Sequence, residues 1–202
     1  MESYPVTERT RLRRRPQRAA YDRATVHAIL DAGFVCHVGF VESGRPVVIP
    51  TAYARIGDAV VVHGAAKNRT LVALAGGAEA CVTVTHVDGL VLARSAFHHS
   101  VNYRSVMIFG RAEAIEERAA KDAALETFFE RLHPGRWPEV RPPSEAELAA
   151  TLVIRIPIAE VSAKVRTGPP IDDAEDMAIP VWAGVVPMSV VRGEPIRDPL
   201  SE

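Results

Sequence analysis

Two cysteines among 202 residues are too few for a disulfide framework, and their separation makes no zinc motif. Cys36 and Cys81 each lie inside an apolar, strand-like run, which suits buried thiols. No apolar run approaches the roughly 20 residues that a membrane helix needs. The opening Met1-Glu2-Ser3-Tyr4-Pro5 lacks the apolar stretch of a signal peptide, so the expected location is cytoplasmic. The HExxH spacing of a zinc protease, the GxxxxGK[ST] spacing of a nucleotide P-loop and any Ser-His-Asp or Cys-His arrangement are all missing. Lysine is scarce: Lys67, Lys121 and Lys164 are the three among 24 cationic residues.

What is present is a chain of one-domain length, 48% hydrophobic, with a near-zero but uneven charge. Arg9, Arg11, Arg13, Arg14, Arg15 and Arg18 crowd the N-terminus, and beyond residue 20 the remaining 18 cations face 23 anions, a net of −5. Residues 1–18 therefore read as a basic arm, either flexible and solvated or packed on a partner subunit. Without aromatic interleaving or a DNA-reading motif, nucleic acid is not the expected partner. Residues 19–190 read as the folded domain and 191–202 as a tail.

Along the domain, Asp22 caps a helix to residue 32 with Val26, Ile29 and Leu30 on one face, closed by Gly33. Strands follow at 34–41, 46–55 and 59–63, joined by turns at Glu42-Ser43-Gly44-Arg45 and Ile56-Gly57-Asp58. Asn68 caps a short helix to residue 75. Residues 80–87 form a strand, Asp88-Gly89 reads as a turn, and a further strand starts at Leu90. Residues 104–115 form a long strand with Gly110 as a possible bulge. The helix over 116–132 repeats Ala120, Ala124, Phe128 and Leu132 at period four. Ser144 and Glu147 form a capping box, and 151–162 is a last strand notched by Pro157. Consecutive strands with tight turns point to an antiparallel barrel rather than a doubly wound sheet.

The chemistry gathers at Val60-Val61-Val62-His63-Gly64-Ala65-Ala66-Lys67-Asn68-Arg69-Thr70-Leu71. A strand, a turn of small residues and a helix start with Lys67 and Arg69 beside it suit a phosphate monoester. The competing reading is a plain strand-to-helix connection with solvated charges. His63 ends the strand, where it could orient an anion, donate a proton or be satisfied by backbone. His86, His98 and His99 complete a set that invites a metal, but adjacent His98 and His99 point to opposite faces of a strand, and no metal site is expected. Asp172, Asp173, Glu175 and Asp176 read as a solvated loop.

Five ordered segments are similar to one family. They are residues 44–53 (GRPVVIPTAY), 63–69 (HGAAKNR), Asn102-Tyr103-Arg104-Ser105-Val106 with Gly110-Arg111-Ala112, Lys164-Val165-Arg166, and 180–187 (PVWAGVVP). Together they resemble the pyridoxamine 5'-phosphate oxidase-related flavin-binding proteins, nearest the nitroimidazole-resistance (Nim-type) branch. The resemblance implies a mainly β fold, a six-stranded antiparallel split barrel with flanking helices, forming a homodimer with FMN at the subunit interface. It matches Lys67 and Arg69 to the phosphate-binding cations, in the turn with His63, Gly64 and Asn68. Pro50, Thr51 and Tyr53 match a segment running along the flavin. Tyr103, Arg104 and Ser105 match a strand approaching it from a neighbouring element, and Trp182 lies in a segment that closes over the site. The vitamin oxidase's full C-terminal substrate pattern is absent, so the implied activity is a small FMN-dependent oxidoreductase on an unassigned small molecule. A non-catalytic flavin carrier or sensor is one alternative. A haem-binding or haem-degrading barrel is another, since one axial histidine suffices for haem.

Overall fold

The computed structural model describes residues 2–200 and divides into two compact units, Met1–His86 with Arg104–Val165, and Val87–Tyr103 with Arg166–Glu202. In chain order the elements are β1 (Ala19–Ala20), α1 (Arg23–Asp31), β2 (Val35–Glu42), β3 (Arg45–Ala52), β4 (Ala54–Ile56), β5 (Ala59–Ala65), α2 (Arg69–Ala75) and β6 (Glu79–Leu92). Then come β7 (Ser100–Arg111), β8 (Glu113–Ala114), α3 (Arg118–Leu132), α4 (Glu145–Ala149), β9 (Thr151–Pro157), β10 (Glu160–Arg166) and β11 (Gly184–Pro187). The architecture is mainly antiparallel β with a few helices. One sheet runs β1-β10-β7-β6-β2-β3, and a smaller one runs β4-β5-β9-β8.

In the first unit, alternation along β5 sorts the core. Val60 and Val62 point into the main cluster with Val38, Ile154 and Ile156, while Val61 faces the other way. There it joins Val153, Ala124, Leu125 and Leu148 in a second cluster beneath α3 and α4. Both sides of the small sheet are therefore covered, which is why its strands read as continuous apolar runs. Asp22 caps α1 by accepting from Thr25 N at 2.8 Å, and Glu117 caps α3 through Ala119 N and Ala120 N. The Ser144–Glu147 capping box forms as the sequence implies.

Four strands differ from the sequence expectation. The return strand, the long strand expected over 104–115 and the last strand each divide in two. β3 belongs to the large sheet and β4 to the small one, β7 and β8 part in the same way, with β7 starting already at Ser100, and β10 and β9 do likewise. β9 ends at Pro157, which has no N–H to extend the ladder. Pro46 and Pro50 sit within β3 because it ends its sheet's order, where a missing donor is tolerated. The fourth difference is β6, which runs unbroken through Asp88-Gly89.

The basic arm is not the loose segment expected. Ser3 bridges to Asp22, and Tyr4 is buried with its N–H donating to the Tyr21 carbonyl at 2.8 Å. Arg9 lies over the Phe109 ring and pairs with Glu79 and Glu160, so those anions hold the arm on its own subunit.

In the second unit, β11 pairs with the far end of β6 in the register Gly184↔Leu92 to Pro187↔Gly89. A Cβ on Gly89 would lie 2.8 Å from Val185 Cγ1 and 2.9 Å from the Val186 carbonyl oxygen. The glycine thus serves a close approach rather than a turn.

Candidate functional site

His63 follows Val61 by two residues on β5 and so faces α3. Its ring meets Phe128 edge-on at 4.5 Å and Phe129 at 5.5 Å, and Phe129 stacks on Trp137 at 6.0 Å. His63 Nδ1 is buried without a hydrogen-bond partner among the described residues. Burial alone pushes the imidazole pKa below its ordinary value, so the ring is held neutral with its electron pair available. Beside it opens a cavity of about 290 Å³ walled by His63, Leu125, Phe129, Trp137 and Pro143, with Arg141 and the Glu147 carboxylate also on its lining. Arg141 is oriented by Glu147, at 2.7 and 2.9 Å. A half-buried imidazole, aromatic walls and a guanidinium suit a planar ligand with an anionic edge.

The turn after β5 is tied down by backbone. Ala66 N donates to the Ala150 carbonyl at 2.7 Å and Asn68 N to the Ala65 carbonyl at 2.8 Å. Asn68 caps α2 by accepting from Leu71 N at 3.1 Å. Gly64 packs closely here: a Cβ there would stand 3.0 Å from Leu71 Cδ1, and the Leu71 side chain would have to give by a few tenths of an ångström. Thr51, His63 and Asn68 line one narrow cavity of about 30 Å³ with Thr70. Lys67 is exposed and pairs with no acid among the described residues. Arg69, also exposed, forks onto Glu42, with Nε 2.8 Å from Oε1. That guanidinium lowers the Glu42 pKa and keeps the carboxylate charged.

The other predicted site residues are placed differently. Tyr53 is a core residue, 1% exposed, with its hydroxyl donating to the Leu30 carbonyl at 2.5 Å. It is not free to flank a cofactor, because the chain crosses between sheets at Tyr53 and turns its ring inward. Pro50 is exposed on β3 opposite His37. Ser105 Oγ donates to the Lys164 carbonyl at 3.4 Å, and Arg104 is half-buried on the same strand. Tyr103 and Trp182 belong to the second unit. There Tyr103 is half-buried and Trp182 is 64% exposed, its ring against Gly184.

Sequence reasoning missed Phe129, Trp137 and Arg141 as neighbours of His63. The available signal was parity on β5, which puts His63 on the side of Val61, together with the period of α3 that brings Phe128 to the same face.

The family model for pyridoxamine 5'-phosphate oxidase matches residues 22–165. The chain belongs to that family. The flavocytochrome Anf3 from Azotobacter vinelandii is 46% identical, covering 96% of this chain and 91% of its own, with a TM-score of 0.92. An FAD- and haem-binding protein from Mycobacterium smegmatis is 39% identical over 92% of this chain and 91% of its own, with a TM-score of 0.89. A candidate 5-nitroimidazole antibiotic resistance protein from Bacteroides thetaiotaomicron is 21% identical over 73% of this chain and 86% of its own, with a TM-score of 0.62, a likeness of fold. No curated protein matches the chain. The split-barrel fold implied by the five segments is thereby shown.

Proposed function

We propose that this chain is a redox protein that would bind a flavin nucleotide and a haem, with His63 as the residue that would hold the iron. The carrying observation is the His63 ring, half-buried with an unpartnered nitrogen beside an aromatic cavity. The identity to two relatives named for flavin or haem, over nine-tenths of each chain, supports the same reading. FAD is favoured over the FMN implied by the resemblance, since the Mycobacterium smegmatis relative is named for FAD.

A bound flavin supplies two-electron and one-electron steps, and a haem iron supplies one-electron steps. The chain's own residues bind, orient and exclude water. His63 would present a neutral imidazole to the iron, because burial disfavours its protonated form. Phe128, Phe129 and Trp137 keep water from that nitrogen, and Arg141 answers an anionic edge. Lys67 and Arg69, which flank Asn68 at the start of α2, would hold the flavin phosphate. Arg69 leaves Glu42 at little cost, since solvent screens an ion pair at the surface.

A second copy of the chain covers the outer face of β2–β3. Val35, Val41 and Val48 are 47–62% exposed there, and they alternate with the buried Cys36, Val38 and Phe40. An antiparallel pair apolar on both faces needs cover on both.

The test is to release the small molecules from freshly purified protein and weigh them. The reading expects one flavin nucleotide and one haem per chain. Protein that purifies colourless, and takes up neither FAD nor hemin at stoichiometric concentration, would contradict it.

A further inference from the structure

Outside that site, the second unit gathers a donor set that the function above does not use. His98, Asp173 and Asp176 place one ligand atom each within 4.8 Å of one another. His98 Nε2 lies 3.0 Å from Asp173 Oδ2, and the imidazole is 24% exposed. The set joins two segments, each fixed by bonds of its own. His98 ends a 3-10 turn, Ala96–His98, whose Ser95 accepts from Phe97 N at 3.2 Å. Asp173 precedes a second 3-10 turn, Ala174–Ala178. Three residues per turn bring positions i and i+3 onto one side, so Asp173 and Asp176 stack. The bond from Asp176 N to the Asp173 carbonyl, 3.0 Å, fixes that spacing.

Two details point beyond a solvated acidic loop. Asp173 occupies the N-cap position yet makes no capping hydrogen bond, and its carboxylate turns to His98 instead. The segment is also held from outside the cluster. Asp172, with its side chain 1% exposed, accepts from Arg94 N at 2.8 Å and from the Arg94 guanidinium at 2.9 Å. Neither Asp173 nor Asp176 has a lysine or arginine partner among the described residues, and the one basic group at the cluster is the His98 imidazole. One imidazole nitrogen and two carboxylates, Asp173 exposed and the other two residues half-buried, form a three-ligand set. A nitrogen donor disfavours Mg²⁺ and Ca²⁺ and favours a first-row divalent ion.

We infer that His98, Asp173 and Asp176 form a site for one first-row divalent cation of the Mn²⁺ or Zn²⁺ class, which clips residues 96–98 to residues 173–176. The site is separate from the proposed haem ligand and needs no redox step.

The test uses full-length holoprotein, stripped with EDTA, dialysed against ZnCl₂ or MnCl₂ and read by elemental analysis, which counts these ions apart from haem iron. The expected result is one ion per chain at tens of micromolar, with MgCl₂ not displacing it. Asp176→Asn and His98→Ala should each weaken uptake at least tenfold, while the neighbouring Glu175→Gln leaves it unchanged. Asp176→Asn changes a loop carboxylate, so unaltered circular dichroism in that variant separates lost ligation from lost folding. Absence of stoichiometric uptake, or undiminished uptake in folded His98→Ala and Asp176→Asn, would overturn the site.

Discussion

The imidazole of His63 stands at 87° to the ring of Phe128, centroids 4.5 Å apart, with its buried Nδ1 unpartnered. Burial lowers the His63 pKa in the fold, whereas the unfolded chain keeps the ordinary value near 6.5. Between those two values the unfolded chain binds a proton that the folded chain does not. The stability that neutral His63 allows is full above about pH 6.5 and is lost as pH falls through the lower folded value. Urea titrations of cofactor-free protein at pH 7.5 and 5 should show a smaller acid loss in His63→Gln than in the parent.

Tyr53→Phe separates core from site. It removes the hydroxyl that bonds the Leu30 carbonyl and should cost about 1 kcal/mol of unfolding free energy. Flavin affinity, measured by fluorescence quenching, should not change. A tenfold loss of flavin affinity at full stability would return Tyr53 to the cofactor.

Lys67→Ala should weaken a phosphorylated flavin by about tenfold and leave riboflavin unaffected, since a charge-assisted contact contributes roughly 1.5–3 kcal/mol. Glu42→Gln should release Arg69 and leave the urea midpoint essentially unchanged, because the Arg69 side of that pair is solvated. Equal affinity of the parent for riboflavin and its phosphate would remove the cationic turn from the account.

Tyr4→Ala tests the packing of the basic arm. Tyr4 is 5% exposed, and its hydroxyl reaches His27 Nε2 at 2.9 Å and the Asp58 carboxylate. Truncating a buried aromatic should cost about 3 kcal/mol, read as the shift in urea midpoint. A flexible arm would show no shift.

Val48→Asp should turn the proposed homodimer into a monomer in sedimentation experiments, by placing a charge on the exposed apolar face of β3. A parent that sediments as a monomer would dismiss the second copy.

These residues also show what was legible in the chain. Asn68 and Ser144 cap helices that begin at the next residue, so their signal is local and the structure keeps it. Asp88-Gly89 carries the local signal of a turn, yet Gly89 is required by a strand far along the chain, and nothing in its neighbourhood says so. Pro157 was visible as a notch, but the change of sheet it permits depends on which partners β9 and β10 find. Arg9 looked like part of a loose arm because Glu79 and Glu160 are distant in sequence. The turn with Asn68 and His63 was read from spacing, whereas the aromatic wall at His63 comes from α3 and the loop after it. Asp173 and Asp176 read as solvated because the 3-10 turn that stacks them, and His98 opposite, appear only in three dimensions.

The most direct measurement is the visible spectrum of the purified protein beside that of His63→Ala. The account predicts flavin bands and a sharp Soret band in the parent, and in the variant the flavin bands alone at unchanged flavin content. A Soret band of equal intensity and position in both proteins would show that another residue holds the iron and would contradict the assignment of His63.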